Sequence, residues 1–160
     1  MAIGVGDTLP EATFMEMTAD GPQPRTTQEV FSGKTVALFA VPGAFTPTCS
    51  AKHLPGFVEK ADTLSGKGVD EIVCTSVNDV FVMGAWGESA GAGGKVRMLA
   101  DGNGAFARAL GLELDASGFG MGQRSQRYSM LVKDGKVQQL NVEDGPGFEV
   151  SSADYMLARL

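Results

Sequence analysis

Histidine occurs once and cysteine twice in these 160 residues. Two cysteines are too few for a disulfide scaffold. Cys49 and Cys74 lie 25 positions apart, so they form neither a CxxC redox pair nor a zinc ribbon. With His53 as the lone histidine, a transition-metal site is poorly supplied. Positive charge is also scarce: 13 Lys and Arg stand against 19 Asp and Glu, a net charge of −6. That balance argues against nucleic acid or an anionic membrane surface as partner. No stretch approaches the length that spans a bilayer. Met1 to Leu9 has neither the basic region nor the apolar run of a secretory signal. The expected address is the cytoplasm.

What the chain does have is apolar content, 43% of its residues, enough for one compact domain over 1–160. The run Val36-Ala37-Leu38-Phe39-Ala40-Val41 predicts a buried central strand. Directly after it comes Pro42-Gly43-Ala44-Phe45-Thr46-Pro47-Thr48-Cys49, where two prolines and a glycine force a tight, irregular loop. A cysteine on such a loop is held by a rigid scaffold at a reachable tip.

Around that centre the pattern alternates between strands and helices. Ala12 to Met17 reads as an edge strand with a turn at Gly21-Pro22. Thr26 to Phe31 reads as a helical turn capped by Thr26 or Thr27 with Glu29 nearby. Leu54, Phe57, Val58, Ala61 and Leu64 fall at helical spacing, predicting an amphipathic helix over Ser50 to Ser65. Pro55 would kink it or split off a first turn; the kinked helix, with Cys49 in its opening turn, is the favoured form. Glu71 to Val77 predicts a second buried strand, capped into a helix over Val80 to Glu88 by Asn78-Asp79. A short strand, Val96 to Leu99, and a helix from Asn103 to Leu110 closed by Gly111 follow. Tyr128 to Val132 and Val137 to Val142 predict a hairpin about an Asp-Gly turn, and Ser151 or Ser152 caps a last helix. The expected class is α/β, a mixed central sheet flanked by helices.

In a helix's first turn, unpaired N–H groups and the macrodipole favour a thiolate. For an ordinary thiol, a fall in pKa from ~8.5 to ~6 raises the ionised fraction at pH 7 about 30-fold. Nucleophilicity falls with pKa at a Brønsted slope of ~0.45, which forfeits roughly 13-fold of that. Fast chemistry therefore needs groups that stabilise the transition state. Thr46, three residues before Cys49, can turn its hydroxyl toward the sulfur, as donor and acceptor. Pro42 and Pro47 stiffen the loop and exclude water. For a positive partner, Lys52 is local, and Arg97, Arg108, Arg124 and Arg127 are the arginines at hand. Arg127, at the mouth of the buried hairpin strand, is the best placed to aim a fork of donors into a pocket.

These residues carry a resemblance. Pro42-Gly43-Ala44-Phe45-Thr46-Pro47-Thr48-Cys49 is similar to the PxxxTxxC signature of the peroxiredoxins. His53-Leu54-Pro55-Gly56-Phe57, Ser76-Val77-Asn78-Asp79 and Arg124-Ser125-Gln126-Arg127-Tyr128-Ser129-Met130 resemble the type II class. The likeness runs from about Val5 to the carboxyl terminus. It implies a thioredoxin-like fold and reduction of hydrogen peroxide and alkyl hydroperoxides without a metal or organic cofactor. By position, Cys49 matches the peroxidatic cysteine, whose thiolate attacks the O–O bond and becomes a sulfenic acid. Thr46 and Arg127 match the residues that polarise the peroxide, and Pro42 the one that shields the sulfenic acid.

Cys74, inside an apolar strand, reads as a buried inert thiol; a resolving cysteine is the alternative. The mammalian atypical member carries its resolving cysteine near the carboxyl terminus, and the matching region here, Gly147 to Ser152, has none. The expected cycle therefore uses one cysteine, with glutathione or glutaredoxin as reductant and thioredoxin as the alternative. His53, four residues after Cys49, reads as a helix-surface or interface histidine, and Trp86 as a packing residue or part of the pocket rim. The class often dimerises through its active-site loops, and Phe45, Phe119 and Met121 suit that contact. The competing function is a peroxide sensor that uses oxidation of Cys49 as its signal. The absence of CxxC disfavours a thiol-disulfide reductase. A cysteine hydrolase using His53 would lack a third partner.

Overall fold

The computed structural model describes residues 2–160. The chain enters through a hairpin of β1 (Thr13–Thr18) and β2 (Gly21–Thr26), paired antiparallel along their full length. The turn is Ala19-Asp20, so Gly21 and Pro22, expected to form it, instead begin β2. β2 contains Pro22 and Pro24, which cannot donate to a ladder on both sides, and it is accordingly the outermost strand. This places β1 inside the sheet rather than at the expected edge. Its free side meets β5 (Arg97–Ala100).

Thr26 then caps α1 (Thr27–Phe31) with a complete capping box: each partner's side chain accepts from the other's backbone N–H. The apolar run forms β3 (Thr35–Val41), buried from Val36 onward. β3 is flanked by β4 (Glu71–Ser76), parallel, and β8 (Tyr128–Lys133), antiparallel. β9 (Lys136–Val142) closes the far edge, giving the order β2-β1-β5-β4-β3-β8-β9. Asp134 and Gly135, at φ +48° and +79°, make the hairpin turn between β8 and β9. A separate ribbon of β6 (Glu113–Asp115) and β7 (Gln123–Ser125), absent from the sequence reading, leads into β8.

Period-two alternation on β3 divides the core into two layers. Ala37, Phe39 and Val41 cluster with residues of α2 (Leu54–Glu59), α3 (Ala61–Gly66), α4 (Val80–Ser89) and α6 (Ala153–Leu157). Val36, Leu38 and Ala40 cluster with residues of α1 and α5 (Ala105–Leu110). Cys49 and Cys74 both belong to the first layer.

Because β3, β4 and β5 are parallel, their carboxyl ends share one edge of the sheet, the edge where α/β proteins place their chemistry. β8 runs the other way, with Tyr128 opposite Ala40, so the residue just before it reaches the same edge. That residue is Arg127. Among the described residues, no helix is long and apolar enough to cross a membrane.

Candidate active site

Cys49 opens a π turn, Cys49–His53, in which the Leu54 N–H bonds to the Cys49 carbonyl five residues back. The kinked helix expected over Ser50 to Ser65 is therefore three pieces: this turn, α2 and α3, with the second break at Lys60. Pro55 falls in the first turn of α2, where its missing N–H costs nothing. The irregularity sits before the proline, not at it. The extra residue in the turn changes which side chains face inward, and both Cys49 and His53 are fully buried. Trp86 anchors the turn from α4, its indole Nε1 donating to Ser50 Oγ at 3.0 Å.

Arg127 points its guanidinium at the sulfur. Nη2 donates to Cys49 Sγ at 3.1 Å, and Nη1 to His53 Nδ1 at 3.0 Å. An arginine can only donate, so Nδ1 is the lone-pair nitrogen and Nε2 carries the proton. Nε2 accordingly donates to the Ser151 carbonyl at 2.9 Å. Burial and then the neighbouring Arg127 charge hold His53 neutral, its pKa lowered to about 3. His53 is thus neither the surface nor the interface histidine expected from helical spacing. It also cannot act as a base for Cys49, because its lone pair is committed to Arg127.

Ser151 is fixed in turn by Glu143. One carboxylate oxygen, Oε2, accepts from the N–H groups of Glu149, Val150 and Ser151 and from Ser151 Oγ, at 2.6 to 2.9 Å. The Glu143 N–H donates to the Arg127 carbonyl at 2.9 Å. The chain of contacts closes on itself: Arg127, His53, Ser151, Glu143 and Arg127 again. Either serine could cap α6 on sequence; the capping hydroxyl belongs to Ser152.

The loop between β3 and the π turn is pinned at several points. Ser76 Oγ donates to Asn78 Oδ1 at 2.6 Å, and the same oxygen accepts from the Ala44 N–H at 2.9 Å. Phe45 adopts φ +63°, an unfavourable conformation for a residue with a Cβ. Gly43 is closely surrounded: a Cβ there would stand 3.0 Å from Met121 Cε and 3.1 Å from Thr46 Cγ2, so those side chains would have to shift by a few tenths of an ångström. Met121 is therefore half-buried against its own chain's loop. The Thr46 hydroxyl donates to the Gly43 carbonyl at 2.7 Å; the contact with sulfur expected from sequence is not made. Pro42 is half-buried directly after Val41.

The other cationic candidates lie elsewhere. Arg97 binds Glu16 and Glu71, Lys52 is exposed, and Arg108 and Arg124 bond to backbone carbonyls. Among the described residues no group of three or more His, Cys, Asp or Glu side chains could hold a metal ion.

A buried thiol with an arginine fork on its sulfur, on a proline-bounded loop after a central strand, agrees with what comparison finds. The Redoxin family profile matches residues 4–157. Peroxiredoxin-2B of Arabidopsis thaliana is 51% identical over 99% of this chain and 98% of its own length. The chloroplastic peroxiredoxin-2E-2 of Oryza sativa subsp. japonica is 55% identical, covering 99% of this chain and 72% of that protein. The crystal structure of reduced Prx3 of Vibrio vulnificus in complex with hydrogen peroxide superposes with a TM-score of 0.95. It is 54% identical over 98% of each chain.

The chain belongs to the type II peroxiredoxins. Its fold is thioredoxin-like, and its activity is that of a thiol-dependent peroxidase, with a peroxide as substrate and a thiol as reductant. In this peroxiredoxin Cys74 lies fully buried on β4, opposite Phe39 of β3 and Met98 of β5. Burial, and then the proximity of Cys49, push its thiol pKa well up. Sequence reasoning missed His53, Ser151 and Glu143 as parts of the site. The signal for His53 was present but weak, since a residue four positions after Cys49 shares its helix face.

Proposed function

We propose that residues 1–160 act as one peroxidase domain that reduces hydrogen peroxide and alkyl hydroperoxides through Cys49 alone. Glutathione, directly or through glutaredoxin, is the reductant, in the reducing conditions of the cytoplasm. The observation that carries this reading is the 3.1 Å contact of Arg127 with Cys49 Sγ, in a chain whose only other cysteine is fully buried.

The Cys49 thiolate attacks one peroxide oxygen. An S–O bond forms as the O–O bond breaks, sulfur gives up two electrons, and the departing oxygen takes a proton to leave as water or alcohol. Arg127 donates to the oxygen that gains charge, where fixed donors are worth most. Thr46, its own proton held by Gly43, turns lone pairs toward the peroxide O–H. Pro42 keeps water from the sulfenic acid. A glutathione thiol then attacks the sulfenic sulfur, releasing water and leaving a mixed disulfide. A second glutathione reduces it, yielding glutathione disulfide and Cys49 thiolate; a glutaredoxin thiolate instead attacks the glutathione sulfur, releases Cys49 thiolate and carries the glutathione as a mixed disulfide that a further glutathione resolves to glutathione disulfide.

The same reading includes a homodimer through the loops bearing Phe45, Phe119 and Met121. Phe45 and Phe119 support it by being 52% and 88% exposed, and sedimentation of Phe119→Glu tests it: an unchanged association state removes that loop from the interface. The decisive experiment compares peroxide turnover by the purified protein with glutathione plus glutaredoxin and with thioredoxin plus its reductase. Turnover with the glutathione system is expected. Turnover with thioredoxin alone would bring Cys74 back as a resolving cysteine and end the single-cysteine cycle.

A further inference from the structure

A second pocket opens at the carboxyl-end edge of the sheet, beside the Cys49 loop. It is a cavity of about 200 Å³ whose lining includes Val77, Gly104, Arg108, Glu113 and Arg124. Its two arginines differ from Arg25, Lys34, Lys60 and Arg97, each of which pairs with a carboxylate. Arg108 Nη1 donates to the Asn103 carbonyl at 2.8 Å. Arg124 Nε and Nη1 donate to the Met121 and Val77 carbonyls at 2.8 and 3.0 Å. Carbonyls orient a guanidinium without neutralising it, and most of each fork's N–H donors remain for a ligand.

The surroundings accommodate this arrangement. Gly104 has φ +70°, and a Cβ there would stand 3.2 Å from Arg108 Nη1, so glycine leaves room for the guanidinium. Glu113 faces the same cavity and has no ion-pair partner among the described residues. On a chain of net charge −6, two un-neutralised arginines and one acid make a local site for an anion that also carries a positive group. The pocket adjoins the catalytic loop. A Cβ on Gly43 would lie 3.8 Å from Arg124 Nη1, and Val77 precedes Asn78, which holds the Ala44 N–H.

We infer that this pocket seats the reductant glutathione, an inference that rests on the single-cysteine reading above. Glutathione has two carboxylates and one ammonium; the pocket offers two guanidinium groups and one carboxylate. About 200 Å³ fits the γ-glutamyl end rather than the whole tripeptide. That end places its carboxylate on Arg108 and its ammonium on Glu113. Arg124, on the loop side of the same cavity, leaves further N–H donors for that carboxylate. The rest of the tripeptide, with its thiol, leaves the cavity on the side of the Cys49 loop, where Gly43 approaches Arg124.

The test uses the whole enzyme, hydrogen peroxide and glutathione without glutaredoxin. 2-Mercaptoethanol, which has neither carboxylate nor ammonium, serves as the reference reductant. In Arg108→Glu the preference for glutathione over 2-mercaptoethanol, as a ratio of kcat/KM, should fall about tenfold, the loss of one charged hydrogen-bonded contact. The unmodified enzyme gives an independent reading: γ-glutamylcysteine should outperform cysteinylglycine by a similar factor. An unchanged ratio in Arg108→Glu, or equal use of the two dipeptides, overturns the pocket and leaves the single-cysteine cycle standing. Turnover only when glutaredoxin is added does the same. No turnover with any glutathione system, but turnover with thioredoxin, overturns both.

Discussion

Cys49 and Cys74 lie in the same core layer, on the same face of the sheet, and neither is exposed to solvent. Burial alone would make both of them inert, because a low-dielectric setting disfavours thiolate. What differs is the company each sulfur keeps. Cys49 stands at the end of a loop, where backbone geometry is irregular enough to admit a guanidinium at 3.1 Å. Cys74 stands mid-strand, with Phe39 and Met98 as its register partners. Burial raises its thiol, the nearby Cys49 sulfur raises it further, and Arg127 offsets only part of this. A charged thiolate at one position makes a second at the other harder to form. The two cysteines share one core layer, and only Cys49 has the Arg127 guanidinium in hydrogen-bond contact with its sulfur.

The largest expected effect breaks this comparison at its root. Cys49→Ser abolishes peroxide turnover, while Cys74→Ser keeps most of it. Parallel steady-state assays check the pair; equal loss in both would mean the two thiols work together. Arg127→Lys comes next. It keeps the charge but loses the fork, so sulfur and His53 Nδ1 can no longer be engaged by two N–H groups of one planar group. The second-order rate with peroxide should fall about 10- to 100-fold, the worth of one charged hydrogen bond. Stopped-flow oxidation measures this, and an unchanged rate would take Arg127 out of the peroxide step.

How much of this contrast could be seen in the sequence follows from where its parts come from. β3 was legible as an unbroken apolar run, α1 from Thr26 and Glu29, and the β8–β9 hairpin from Asp134-Gly135, because each signal is local. β2 was not, since Pro22 and Pro24 argue against a strand unless it is known to be outermost. Cys49 and Arg127 were visible as candidates through the PxxxTxxC spacing and the start of a buried strand. Their meeting depends on the antiparallel register of β8 with β3, which no window around either residue contains. His53 misled for a similar reason. Its spacing one turn after Cys49 hints at a shared face, but nothing local shows its partner, the Ser151 carbonyl, 98 residues away in sequence. Glu143 acts one step further back, by accepting from the backbone N–H and hydroxyl of Ser151, contacts that only the folded loop creates.

His53 sharpens the comparison through acid. Its pKa is about 3 in the folded chain, against 6.5 for a free histidine. Between those values the unfolded chain binds a proton that the native state refuses. Stability is therefore fully present above pH 6.5 and declines as pH falls toward 3, by up to about 1.4 kcal/mol per unit from this group. Urea denaturation of the parent and of His53→Gln, run from pH 7 to pH 4, isolates the contribution as a difference. Glutamine can accept from Arg127 and donate to the Ser151 carbonyl without titrating. The parent should lose stability faster than the variant over that range. Parallel curves would mean that His53 is charged in the native state, and then it could not orient Arg127.

The smallest effect is a crossover between the two cysteines in stability rather than rate. A serine at position 74 places a hydroxyl between Phe39 and Met98 in a layer with few acceptors, at a cost of ~1–3 kcal/mol if it stays unpaired. A serine at position 49 meets Arg127, whose Nη2–H can donate to the hydroxyl oxygen as it does to sulfur, and should cost less than half as much. Urea midpoints of the two variants at pH 7 measure the difference. The substitution that destroys activity should be the one the fold tolerates better. If Cys49→Ser proved the more destabilising, the bond from Arg127 to sulfur would be holding the fold together, and the division between a reactive and a packing thiol would fail.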